Sequence, residues 1–241
     1  VSGELVILDI GATLVSGPSR GPASRIATRT RLGETRKLAL REALMTKPFA
    51  SPREVVAFVQ ALDGPAIEQL DRAVQEVWDA QEREAEPIAD AAEAVRRLHE
   101  HGLRLAVISN IWRPYLRSVR AHFGELLDAH VAPELQLFSF REGRAKPALE
   151  LFRRVLELAD VAAADAVMVG DSYAEDIAPA DALGIGTVWV LHRPQREVGD
   201  LTRVLNREAR GASRTVRSIS DVTVGLIASV LARPPAPAHV N

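Results

Sequence analysis

Two short apolar runs that end in aspartate constrain this chain most: LVILD at 5–9 and AVMVGD at 166–171. Continuous apolar runs of this length suit strands buried on both faces, as in a parallel sheet covered by helices. Runs at 103–108 and 187–190 fit the same pattern, and weaker candidates lie at 135–138 and 215–217. Helical patterns at 89–101, 113–123, 147–158 and 173–183 fall between them, with Pro147 expected in a first helical turn. This alternation implies an α/β fold built on a doubly wound parallel sheet. Ligands of such sheets bind at the carboxyl ends of the strands, where Asp9 and Asp171 both sit.

The stretch 16–86 interrupts the alternation. It opens on SGPSRGP, a Gly/Pro sequence fit for a hinge, and continues with helical patterns at 36–44, 52–62 and 66–84. The expected organisation is a core of residues 1–15 and 87–232 with an all-helical cap inserted at 16–86. The Pro/Ala-rich tail, 233–241, is expected to be disordered.

Composition narrows the functional classes. A chain of 241 residues that is 47% apolar can bury a sizeable core, and its net charge of −2 offers no global basic field for nucleic acid. The stretch carrying Arg203, Arg207, Arg210, Arg214 and Arg217 has no interleaved aromatic residues to stack bases. Cysteine is absent, which excludes disulfides and thiolate metal sites. No run of about 18 apolar residues suggests a membrane span, and the first apolar run is too short for a signal peptide. The expectation is a cytoplasmic protein, monomer or homodimer, with neither nucleic acid nor membrane as partner.

Asp176 lies five residues beyond Asp171. Each aspartate alone is explained as a turn or cap residue. Three carboxylates brought to one sheet edge, however, repel one another unless a cation sits among them. Hard oxygen donors with no His or Cys select Mg²⁺. Lysine occurs only at 37, 47 and 146 in a chain that otherwise uses arginine. Lys146 therefore stands out as a compact ammonium, a point charge suited to phosphate. Trp112 follows the third apolar run closely, and either core packing or the pocket border explains it.

The motifs LDIGATL, AVISN, AKPALELF and VGDSYAED occur in this order. Together they resemble those of haloacid dehalogenase superfamily hydrolases, phosphatase-like members with a helical C1-type cap after the first strand. The resemblance extends to about residue 232. It implies that Asp9 is a nucleophile forming an aspartyl-phosphate. It further implies that Asp9, Asp171, Asp176 and the Gly11 carbonyl serve the metal. Ser109 and Lys146 would hold phosphoryl oxygens, Thr13 would brace the loop, and Asn110 would shape the substrate pocket. The substrate would be a small phosphorylated or otherwise anionic metabolite.

One position departs from the family pattern. Its phosphatases carry a second Asp two residues after the nucleophile, where this chain has Gly11. General acid–base help of that kind is worth about 10²–10⁴-fold. The open readings are a phosphatase that finds its proton elsewhere, a phosphonoacetaldehyde-hydrolase-like enzyme using Lys37 or Lys47 as a Schiff base, dehalogenase-like chemistry, and a weakened protein that binds phospho-ligands or partners.

Overall fold

The computed structural model describes residues 3–64 and 66–232, so the tail expected at 233–241 lies outside the described residues. The chain begins with β1 (Leu5–Leu8) and β2 (Val15–Ser16). It continues through α1 (Pro22–Thr30), α2 (Glu34–Thr46), α3 (Pro52–Gln60) and α4 (Leu70–Gln81) to β3 (Glu86–Pro87). Then follow α5 (Ala91–Glu100), β4 (Arg104–Ser109), α6 (Arg113–His130), β5 (Gln136–Phe138), α7 (Ser139–Glu142) and α8 (Leu149–Ala159). The last part comprises β6 (Ala166–Gly170), a π-helical turn (Tyr173–Ile177), α9 (Ala178–Ala182), β7 (Gly186–Val190), α10 (Val198–Leu205), β8 (Arg214–Val216) and α11 (Val224–Leu231).

Among the described residues the main sheet has six strands in the order β5-β4-β1-β6-β7-β8, all paired in parallel. β1 is fully buried and central, with Leu5 opposite Arg104 on one side and Ala166 on the other. The chain winds outward from β1 in both directions. The end of β1 is thus a switch point, where diverging connections leave a crevice.

Helices α1 to α4 lie between β2 and β3, which pair antiparallel as a two-stranded ribbon. The boundaries expected at 15/16 and 86/87 both fall inside that ribbon. The buried positions of α4 are Leu70, Ala73, Val74, Val77, Trp78 and Gln81. That spacing draws one continuous stripe down a helix. The stripe joins Ile26, Leu40, Leu44, Val55 and Val59 in an apolar cluster distinct from the one around the sheet. Each fully buried Val, Leu or Ile contributes about 1.5–3 kcal/mol. Trp112, from the sheet side, reaches into this cluster.

Several expected elements need correction. The SGPSRGP stretch is not all hinge: its last residue, Pro22, occupies the first turn of α1, where its missing N–H costs nothing. Pro147 does not start a helix, because α8 begins at Leu149. The Lys146 backbone just before it is held instead by the Asn110 side chain. The helix expected at 173–183 is split into the π turn and α9. There Ser172 O accepts from Asp176 N at 2.9 Å and from Ile177 N at 3.3 Å. No helix of the described residues is long and apolar enough to cross a membrane.

Candidate active site

Asp9 is the first residue after β1, and its N–H extends the ladder by donating to Val169 O at 2.9 Å. Asp171 is the first residue after β6, the strand beside it. Asp176 returns to the same point because the π turn folds back, its carboxylate accepting from Ser172 N at 3.0 Å. Single π turns of this kind occur often at functional sites. Carboxylate oxygens of Asp9, Asp171 and Asp176 all lie within 4.8 Å of one another. Gly170 makes room for this. A Cβ there would overlap the Asp176 side chain, its Cβ at 2.7 Å among others.

Lys146 Nζ lies 2.6 Å from Asp9 Oδ1 and 2.5 Å from Asp176 Oδ1. All three side chains are buried. Burial pulls the ammonium's pKa down, but the charges of Asp176 and Asp9 outweigh it and leave the net shift upward. Lys146 is therefore held charged. Burial pushes the Asp176 carboxyl up, a rise that Lys146 opposes and Asp9 reinforces. Asp171 is also raised, first by burial and then by the Asp9 charge, with Arg193 opposing. Like charges are crowded here beyond what one ammonium relieves.

Asn110, directly after β4, holds Lys146 in place. Its Oδ1 accepts from Lys146 N at 2.7 Å, and its Nδ2 donates to Lys146 O and to Glu175 Oε2, both at 2.9 Å. Ser109 is buried at the end of β4. Thr13 is buried too, and its Oγ1 makes no hydrogen bond among the described residues, so it braces nothing through that atom. At Gly11 an added Cβ would meet nothing nearer than Asp9 Oδ2 at 3.9 Å, so the position is open beside the carboxylate.

A cavity of about 580 Å³ abuts the cluster along Gly11, Asn110, Lys146 and Glu175. Its opposite wall comes from the helical segment, including Leu38, Arg41, Glu42 and Met45. Trp112 borders the cavity and is also core. It packs edge-on against Trp78, with ring centroids 5.4 Å apart, and donates from Nε1 to Gln81 Oε1 at 2.8 Å. Lys37 pairs with Glu34, Lys47 is exposed at the C-terminal end of α2, and neither lines the cavity.

Sequence reasoning missed Arg193, which donates to Asp171 Oδ2 at 3.0 Å and lines the cavity. It also missed Glu175, which faces Arg41 at 3.7 Å across the cavity. Arg193 was within reach, since it lies three residues beyond the carboxyl end of β7.

A family model described as haloacid dehalogenase-like hydrolase matches residues 8–184. The chain belongs to the haloacid dehalogenase-like hydrolase family. Among its relatives, a ribulose-1,5-bisphosphate 5-phosphatase of Halopiger xanaduensis is 33% identical over 148 residues, covering 61% of this chain and 59% of the relative. The chain thus spans less than two thirds of that protein's length. A phosphoserine phosphatase of Thermus thermophilus is 32% identical over 173 residues, 67% of each chain. In fold, the chain is similar to a 2-haloacid dehalogenase from Pseudomonas syringae pv. Tomato, with a TM-score of 0.60 at 19% identity over 90% of this chain and 95% of the other. The two chains thus share a fold.

Proposed function

We propose that this protein is a Mg²⁺-dependent phosphatase of small phosphorylated metabolites, with Asp9 as nucleophile and helices α1 to α4 as a C1-type cap over the site. The observation that carries the reading is the buried Lys146 ammonium set between Asp9 and Asp176, in a residue that lines the cavity. The names of the two relatives, both phosphatases of small metabolites, support the same class.

Asp9, Asp171 and Asp176, with the Gly11 carbonyl, would hold the metal. The donor set suits Mg²⁺: every ligand is oxygen, and the crowded carboxylates gain from a divalent cation. When bound, Mg²⁺ screens the charge of the phosphate dianion. The Asp9 carboxylate attacks phosphorus as the bond to the leaving oxygen breaks, giving an aspartyl-phosphate that water then hydrolyses. Lys146 neutralises phosphoryl oxygens, and Ser109 donates to one of them. Asn110 keeps the ammonium on target through the Lys146 backbone, and Thr13 belongs to the loop under the substrate. The leaving oxygen takes its proton from water or from the substrate, because Gly11 has no side chain to give one. The test is phosphate release from a panel of small phosphorylated metabolites in Mg²⁺ and in EDTA. Release confined to Mg²⁺ is expected, and equal release in EDTA would remove the metal from the account.

The open space at Gly11 favours a second reading, a weakened enzyme that chiefly binds phospho-ligands. Gly11→Asp separates the two. If Gly11 only slows turnover, the variant gains activity, up to about 10²–10⁴-fold in kcat. A variant as inert as an inert wild type, alongside tight ligand binding, supports the binding reading. The Schiff-base alternative has no support from Lys37 or Lys47, since neither lines the cavity.

A further inference from the structure

Away from the carboxylate cluster, a recess of about 230 Å³ opens where the α2–α3 connection meets α6 and α7. Arg113, Arg117, Arg120 and Arg141 line it, with Pro48, Leu116 and Phe140 as the remaining wall. Among the described residues no carboxylate lines it. The first three arginines share one face of α6, spaced at four and three residues, so the helix itself gathers them.

Two of these charges are already answered outside the recess, Arg117 by Glu82 and Arg120 by Asp128. Arg113 and Arg141 make no ion pair among the described residues. Arg113 donates only to a neutral acceptor, Pro48 O, at 3.3 Å, and its Nε is a buried donor with no partner. Arg141 lies over the rings of Phe138 and Phe140, at 5.1 Å and 5.6 Å from their centroids. These ring contacts attract the guanidinium without neutralising it. Burial lowers the Arg141 pKa, and the charges of Arg120 and Arg113 add to the effect. Two guanidiniums are thus held ready in a cationic recess with donors to spare.

We infer that this recess is a binding site for a small multivalent oxyanion: inorganic phosphate or pyrophosphate, or the phosphate end of a metabolite. Guanidinium forks match phosphate oxygens two at a time. A recess below about 300 Å³ suits a single charged group better than a drug-sized ligand. The occupant would bridge the α2–α3 connection to α6 through Arg113, whose bond to Pro48 already joins them.

The test is calorimetric titration of the full chain with inorganic pyrophosphate in EDTA, using wild type, Arg141→Ala and Arg113→Ala. Circular dichroism confirms that each variant is folded. Binding in the submillimolar range is expected for wild type, weakened about tenfold or more in each variant and falling as salt rises. Arg141→Lys, which keeps the charge but loses the fork, should fall between. A parallel titration with glycerol 2-phosphate identifies the source: loss of both ligands in the variants assigns the shared phosphate group, and loss of one assigns that ligand. Heat that survives unchanged in both alanine variants would belong to the cavity beside Lys146 and would overturn the proposal. So would the absence of wild-type binding at millimolar pyrophosphate, or binding of an oligoglutamate peptide alone.

Discussion

Lys146 is the residue on which the site's electrostatics turn. Its ammonium is the cation that Asp9 and Asp176 share at hydrogen-bond distance. Replacing it with methionine leaves two buried carboxylates facing each other, and breaking a buried pair this way costs about 3–5 kcal/mol. Thermal unfolding of Lys146→Met should show a loss of that order in EDTA and a smaller one in Mg²⁺. Equal losses in both would mean that no metal reaches the carboxylates. Gly170 is the other sensitive position, since its missing Cβ is the space that Asp176 fills. Gly170→Ala should destabilise by about 1–3 kcal/mol in a denaturant titration, by overpacking; an unchanged midpoint would show that Asp176 is free to move. The identities of Asp9, Asp171 and Lys146 stood out in the sequence because strand ends and a rare residue type mark them. The contact of Asn110 with the Lys146 backbone did not. It joins positions 36 residues apart through a side-chain amide, and no local pattern records such a bond.

At the scale of elements, the strands were the more legible part. Apolar runs at 5–8, 166–169 and 187–190 coincide within a residue with β1, β6 and β7, because a strand buried on both faces has little freedom in composition. The helices α1 and α10 were not read. α1 starts at Pro22, the last residue of the stretch read as a hinge, and the Arg-rich surroundings of α10 drew attention to charge. The contact that docks the helical segment on the sheet was hidden as well. Trp112, at the start of α6, donates to Gln81 at the end of α4, in buried surroundings. Gln81→Leu leaves that indole N–H without its acceptor, a cost of about 1–3 kcal/mol. Hydrogen exchange should then speed up in α4 and around Trp112 while β1 and β6 keep their protection. Uniform acceleration across the sheet would mean that the two clusters unfold together.

For the molecule as a whole, the parallel sheet gathers the carboxylates at its carboxyl edge, and the segment between β2 and β3 supplies the opposite wall of the cavity. The family is established by the match over residues 8–184. What this chain adds is a cluster of buried charged residues around Lys146, with glycine two residues after Asp9. Under the proposed phosphatase reading, the enzyme would depend on charge neutralisation and positioning more than on proton transfer, as expected where phosphoryl transfer has a loose transition state. The most direct measurement is phosphate release in Mg²⁺ by wild type and by Asp9→Asn, with folding of both checked by circular dichroism. The account predicts turnover by the wild type and none above background in the variant, because an amide cannot attack phosphorus. Undiminished phosphate release by a folded Asp9→Asn protein would contradict it.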